Sequence, residues 1–537
     1  MPVTKNLLMA LKQLRDERQN RTLWVDAICI DQVNIEERGQ QVSLMKDIFQ
    51  QSKRTVVWLG EEDGDSHCAM ELIRHLARMS RERSAQNFCK SHESDYIPPL
   101  YDPVWRAFAL LIQRPWFHRT WVVSEVSVAL DVQELLEAVQ YAVGLGVFIA
   151  YGGSTTYQAL RLSETRAHFQ QGQSPPLYEA LLNNRSFLAT DPRDKIYGVL
   201  SLASKGDVEA MGVQADYRLS VQELYKKITR SLLERPGLDA FSASRAQSND
   251  LKSTLPSWIT DWAASDPSVP LNSTDFLENG DSTSFISLDS LDYNSAASTT
   301  SSSAFDDSKN LLGLEGVLID EVETVGVLSR TRYLRRVSHM FELFVQCHDI
   351  LEQLKNWEKV ARTGSRTRYP TGESSRLAYW KTLCAGRVPG NLTSVTKDPR
   401  FKYYLIIRSL RLFVRATIRC VPRNEKDTWY NRLFYSMFQT AWRTFGLTPA
   451  KIQRIGFPPE SRLSNYRRMV RTQKGYLALA PRSARVGDWI GVFKGGKMPL
   501  VVRKKGEHWI LLGESYVHGI MKGEAWDEAK CERMWFE

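Results

Sequence analysis

The chain has 537 residues, with 71 Lys plus Arg against 61 Asp plus Glu and a formal charge of +10. Apolar residues make up 43% and charged residues 25%, which excludes a fibrous chain or one disordered throughout. At roughly 150 residues per domain, the length predicts three or four structural units. The seven cysteines are scattered, with no CxxC and no Cys/His cluster. Neither a disulfide framework nor a metal site is expected, and the default compartment is reducing and cytoplasmic. The first twenty residues alternate Leu with Lys, Arg and Asp, unlike a secretory segment. The longest apolar run, Tyr141 to Tyr151, is too short to cross a bilayer core of about 30 Å as a helix, so no membrane association is expected.

In chain order, Leu7, Leu11 and Leu14 predict an amphipathic helix from about Asn6 to Glu17. Leu23-Trp24-Val25-Asp26-Ala27-Ile28-Cys29-Ile30 is a nearly continuous apolar run of strand length, the pattern of a parallel strand covered on both faces. Asn34 with Glu37 predicts a helix start, and Val42, Met45 and Phe49 mark that helix's buried stripe. Thr55-Val56-Val57-Trp58-Leu59 is a second short strand, stopped at Gly60, and the alternation predicts an α/β unit.

Further helices are expected from about His67, from about Asp102 into Arg114, and from Tyr217 to Leu233. Between them, Arg114 to Glu125 is dense in aromatic and basic residues. A helix running on from Pro115 sets His118, Trp121 and Glu125 on one stripe. Asp266 to Asp307 is rich in Ser, Thr, Asp and Asn and predicts a linker or loop. Gly326 to Met469 is Arg-rich with helical spacing. Arg330, Arg332, Arg335 and Arg336 invite a nucleic-acid reading, but they sit among apolar residues as on ordinary solvated helix faces, so nucleic-acid binding is not expected. The tail is punctuated by glycines and predicts a small antiparallel β unit, with Trp489, Phe493, Val501 and Trp509 inward and His508 and His518 structural or exposed. The expected divisions are 1–205, a helical extension 206–265, a Ser-rich linker 266–309, a mostly helical Arg-rich region 310–470 and a β-rich unit 471–537.

Leu23 to Gln32, with Asn34, Glu37-Arg38, Gln41-Val42, Met45 and Trp58-Leu59-Gly60, resembles the fungal heterokaryon-incompatibility (HET) domain. Arg114-Pro115-Trp116-Phe117 with Arg119, Trp121-Val122 and Glu125 matches that family's second block, and Thr190 to Tyr197 with Leu200 matches a third. Asp216-Tyr217, Leu255 to Trp262, and pieces from Gly475 to Gly519 also resemble HET proteins. Two departures stand out. Members usually open with a strand of the kind Ala-Leu-Ser-Tyr-x-Trp-Gly, and this chain begins after it. Val128 to Ala150 is longer than the family's link there, as a retained intron would make it.

The HET domain is similar to TIR-type domains. The resemblance therefore implies a flavodoxin/TIR-like parallel sheet of order 2-1-3-4-5, here lacking its first strand, with a helical middle region and a small β-rich C-terminal unit. It also implies a role in vegetative incompatibility, with cell death when genetically different hyphae fuse. Some TIR domains cleave NAD with a Glu in a Trp-x-x-x-Glu context, which Trp121 and Glu125 match. On that reading Glu125 is catalytic, Asp26, Asp31, Arg119 and Trp121 bind the ligand, NAD is substrate and no cofactor is needed. Arg114 or Arg119 would face the pyrophosphate.

Plainer readings stand beside these. Asp26 can cap a loop, Glu125 can pair with Arg119, Arg114 or His118, and Trp105, Trp116 and Trp121 can be core residues. Asp191, Arg193 and Asp194 read as a salt-bridge and turn cluster. Two other functions stay open, a non-enzymatic death adaptor acting by self-association and an inert shortened paralogue. The partner is an unnamed incompatibility protein.

Overall fold

The computed structural model describes residues 3–85, 97–98, 102–128, 133–144, 154–235, 237–243, 255–264, 270–271, 293–329, 340–364, 368–388, 392–398, 400–401, 404–405, 461–464 and 466–537. These form two compact units that divide between Leu224 and Tyr225.

The first unit is helical. Its longer helices are Lys5–Leu14, Ile35–Gln51, Ser66–Ala85, Pro103–Ile112, Thr120–Val128, Gln133–Gly144 and Ser154–Gln170. Three of them, the first, second and fourth, start where a side chain accepts one of the first free backbone N–H groups. Asn34 Oδ1 accepts from Glu37 N at 3.2 Å and Asp102 Oδ1 from Val104 N at 2.9 Å. Trp105, Phe108, Phe117, Val122, Val139, Leu162 and Phe187 are all fully buried in one apolar cluster. The helix Gln133–Gly144, within the segment longer than the family's link, contributes Leu136, Ala138, Val139 and Ala142 to that core.

The expected parallel sheet is absent among the described residues. Leu23–Ile30 is extended only to Val25 and then closes a single helical turn, Asp26–Cys29, with Leu23 and Ile28 exposed. Thr55–Leu59 forms no strand, and Val57 and Leu59 lean on the core. The reason is backbone hydrogen bonding: a strand must satisfy its N–H and C=O groups on a neighbour. Here Cys29 N bonds back to Val25 O at 2.8 Å instead. Short apolar runs fit strand and buried helix alike. The unit is therefore neither flavodoxin-like nor TIR-like, and the two segments are not parallel strands. The stripe through His118 is also broken, because Pro115–His118 is a 3-10 turn and Arg119 is extended before the helix begins at Thr120.

The second unit carries a β-barrel. Its strands are β1 Ser303–Asp306, β2 Leu311–Leu328, β3 Arg467–Thr472, β4 Leu477–Pro481, β5 Trp489–Phe493, β6 Leu500–Lys505, β7 His508–Glu514, β8 Tyr516–Val517 and β9 Glu532–Phe536. β2 pairs with β9 over Leu312–Gly316 and with β5 over Gly316–Glu321. It thereby closes a five-stranded ring β2-β5-β6-β7-β9, in which only β7 and β9 run parallel. β1, β3, β4 and β8 extend from the ring. Ile490, Val492, Val501 and Leu512 fill the core. At Gly316 a Cβ would meet Val492 O at 2.5 Å, so the two strands close only around a glycine.

Sequence reading placed Leu311–Leu328 at the head of a helical region, and it is instead the barrel's longest strand. Its alternation is interrupted by irregularities at Leu318/Asp320 and Val322/Thr324, which hide the period of two. A helical middle follows with Met340–Val360 and Ser375–Leu383. Of the Ser-rich stretch, 293–309 is ordered against the barrel: Ser295 N donates to Lys497 O and Thr299 Oγ1 accepts from Gly495 N. Arg332, Arg335 and Arg336, with Arg330, lie outside the described residues. Phe493, Val501 and Trp509 are buried and Trp489 is half-buried. His508 is half-buried, and His518 is bonded to Glu373 and stacked on Tyr369 at 5.3 Å.

Candidate carboxylate site around Glu125

Glu125 lies in the second turn of the helix Thr120–Val128, whose neighbours Val122, Val123 and Val126 are buried in the core while Glu125 is half-buried. Burial pushes its pKa up to about 7; Arg119 opposes this and the negative charge of Asp26 adds to it. A buried carboxyl that holds its proton to neutral pH is poised to exchange it there, the usual requirement of an acid–base group. Asp26 opens the turn Asp26–Cys29, half-buried, with Oδ1 accepting from Ala27 N at 2.7 Å. Arg119 is exposed at the hinge between the 3-10 turn and the helix. Of the other four predicted site residues, Asp26 and Arg119 are therefore each in electrostatic reach of Glu125.

The other two have local partners. Asp31 is exposed and closes the turn before the helix Ile35–Gln51: its Oδ1 accepts from Val33 N at 3.0 Å, and its N–H donates to Glu37 Oε1 at 3.0 Å. Trp121 Nε1 donates to Asp194 Oδ2 at 3.0 Å, so its polar edge faces the protein.

Arg114 is occupied as well. It donates to Leu59 O at 3.2 Å, Asp63 Oδ2 at 2.9 Å and Ser66 Oγ at 2.8 Å. His118 stands off the helix, and burial lowers its pKa. Trp105 is core, with Nε1 donating to Pro98 O, and Trp116 packs edge-on against Phe117.

Below the helix lies a polar cluster. The Arg193 guanidinium makes two bonds to Asp191, at 3.0 and 2.9 Å, and also donates to Tyr217 O and Leu219 O. Although burial works against it, Arg193 holds the Asp191 carboxyl below its usual range. Tyr217 OH donates to Asp194 Oδ1 at 2.6 Å, and Arg38 stacks over the Tyr217 ring at 3.6 Å while reaching Asp191 and Asp194. Sequence reasoning gave Arg38 and Tyr217 no role. The signal was that both lie inside the blocks carrying the family resemblance. Among the described residues, no group of three His, Cys, Asp or Glu side chains could hold a metal ion.

Residues 1–125 match the family model described as Heterokaryon incompatibility protein (HET), and residues 461–536 match the Het-6 beta-barrel domain. The chain is 24% identical to Heterokaryon incompatibility protein 6, OR allele, of Neurospora crassa, over 99% of this chain and 86% of that one. No solved structure matches. The resemblance to heterokaryon-incompatibility proteins therefore holds at both ends of the chain, without the TIR-like part.

Proposed function

We propose that this chain acts in heterokaryon incompatibility, triggering cell death after non-self fusion, and that its effector chemistry is hydrolysis of the nicotinamide–ribose bond of NAD at Glu125. One observation carries the reading: a half-buried carboxyl with its pKa at about 7 stands in electrostatic reach of a second carboxylate and a guanidinium. Loss of nicotinamide leaves positive charge on the ribose, which carboxylates such as Glu125 and Asp26 stabilise. Water then adds to the ribose carbon and Glu125 takes its proton, giving ADP-ribose and nicotinamide. Arg119, exposed beside them, pairs with the pyrophosphate. NAD is the substrate, and no bound cofactor is required. Among the described residues no helix is long and apolar enough to cross a membrane, and a cytoplasmic setting supplies the NAD. In cells expressing the full chain, Glu125→Gln should abolish both toxicity and NAD loss at unchanged protein level. Full toxicity of that variant overturns the enzymatic reading.

A second reading is a death adaptor that signals by self-association. It is favoured by the exposure of Leu8, Leu23, Ile28, Val33, Ile35, Leu44 and Val56, apolar side chains that a second copy would cover. Under this reading the chain forms concentration-dependent oligomers, and Val33→Asp with Leu44→Asp removes toxicity while Glu125→Gln does not.

A further inference from the structure

Among the side chains that tie down the helix carrying Glu125 is a buried carboxylate. Asp194, only 7% exposed, begins the helical turn Asp194–Tyr197. Its Oδ2 accepts from Trp121 Nε1 at 3.0 Å, its Oδ1 accepts from Tyr217 OH at 2.6 Å, and Arg38 lies 3.7 Å away. Arg38 is itself fixed, stacked on Tyr217 and paired with Asp191. The start of the same helix is tied down a second time, since Thr120 N and Oγ1 both donate to Leu188 O, at 2.8 and 3.1 Å. Gly198 lets the turn approach: a Cβ there would meet Thr120 Cγ2 at 2.8 Å.

Residues four apart lie on one face of a helix, so a rotation that displaces Trp121 displaces Glu125 in the same sense. A carboxylate taken out of water is costly unless its donors are fixed around it, and here burial raises the Asp194 pKa while Tyr217 and Trp121 oppose the rise. An apolar contact under Trp121 would hold the helix without this cost, but it would not set the indole's direction as an aimed N–H···O bond does.

We propose that Asp194 is a positioning residue for Glu125: by holding the Trp121 indole it sets the rotation of the helix Thr120–Val128, and with it the place of the Glu125 carboxyl relative to Asp26 and Arg119. The inference rests on the Glu125 site described above. It gives Trp121 a role other than stacking on a ligand, and it extends the working site to residues far beyond Glu125 in the chain.

The test uses the full chain with 13C-labelled Glu carboxyls, the Glu125 signal being assigned by its loss in Glu125→Gln. Asp194→Asn and Trp121→Phe should each move the Glu125 pKa by about half a unit or more, as its charged neighbours shift relative to it. Where NAD cleavage is measured, kcat should fall about tenfold with KM unchanged, the signature of a misplaced group. Trp121→Phe keeps the carboxylate bound to Tyr217 and Arg38, so it decides the matter if Asp194→Asn does not fold. A Glu125 titration identical to wild type in the folded variants overturns the proposal. If the wild-type chain consumes no NAD, the enzymatic reading fails, and the titration still decides whether Asp194 positions Glu125.

Discussion

Glu125 couples the stability of the helical unit to protons. Its folded pKa of about 7 lies above the value of about 4.3 for an unfolded Glu. Between those values the unfolded chain has released a proton that the folded chain retains, so stability falls as pH rises through the window and stays lower above it. Glu125→Gln cannot ionise, and should be more stable than wild type by about 1–3 kcal/mol at pH 8, with the two converging near pH 4. Denaturant titrations at both pH values check this, and a constant difference would show that burial does not hold the proton. Glu373 behaves in the opposite sense. Burial alone would raise its pKa, yet hydrogen bonds from His518 and Lys381 hold it at about 2. Its contribution is present above about pH 4.3 and fades as pH falls toward 2. Glu373→Gln should therefore cost about 1–3 kcal/mol at pH 7 and about half of that at pH 3, where the folded carboxyl is still mostly ionised, measured by the same titrations. Glu125 was readable from the sequence as a candidate, because Trp121 and Glu125 sit one turn apart within a recognisable block. The partner that holds Trp121 was not, because Asp194 and Tyr217 lie far along the chain and only folding brings them beneath it.

Elements were read well where a local signal ends them, and poorly where pairing decides. Asn34 and Glu37 place the start of the helix Ile35–Gln51 by their own hydrogen bonds, so that start could be seen without the fold. Leu23–Ile30 and Thr55–Leu59 were read as strands from their apolar content alone, which says nothing about whether a neighbour exists to complete a ladder. β2 was missed for the reverse reason: five residues of its length pair with β9 and five with β5, and irregularities at Leu318/Asp320 and Val322/Thr324 break the alternation. The barrel's closure makes its own prediction. Gly316→Ala places a methyl group against Val492 O and the Phe493 ring, within 2.5 and 2.6 Å. One backbone must move, so the substitution should destabilise the barrel by about 1–3 kcal/mol, the usual cost of overpacking. Thermal unfolding of the full chain checks this, and an unchanged midpoint would mean that the strands separate without cost.

At the scale of the whole molecule, the matched family segment is shorter than the unit that folds around it. The HET match ends at residue 125, yet Ala138, Val139, Leu162, Phe187 and Leu202 share the core with Trp105 and Phe108. A fragment of residues 1–125 should therefore melt without a cooperative transition, whereas residues 1–224 should melt cooperatively; circular dichroism distinguishes them. The barrel at the other end has its own core and its own match, and sequence punctuation by glycine made its β character readable even though its first two strands were not. What joins these observations to function is the claim that the Glu125 carboxyl does chemistry on NAD. The most direct measurement is nicotinamide release by the purified full chain across pH 5 to 9. Release should depend on a group titrating near pH 7 and should be lost in Glu125→Gln while the fold is kept. Release that persists in Glu125→Gln, or none from a folded wild-type chain that still kills cells, would contradict that claim.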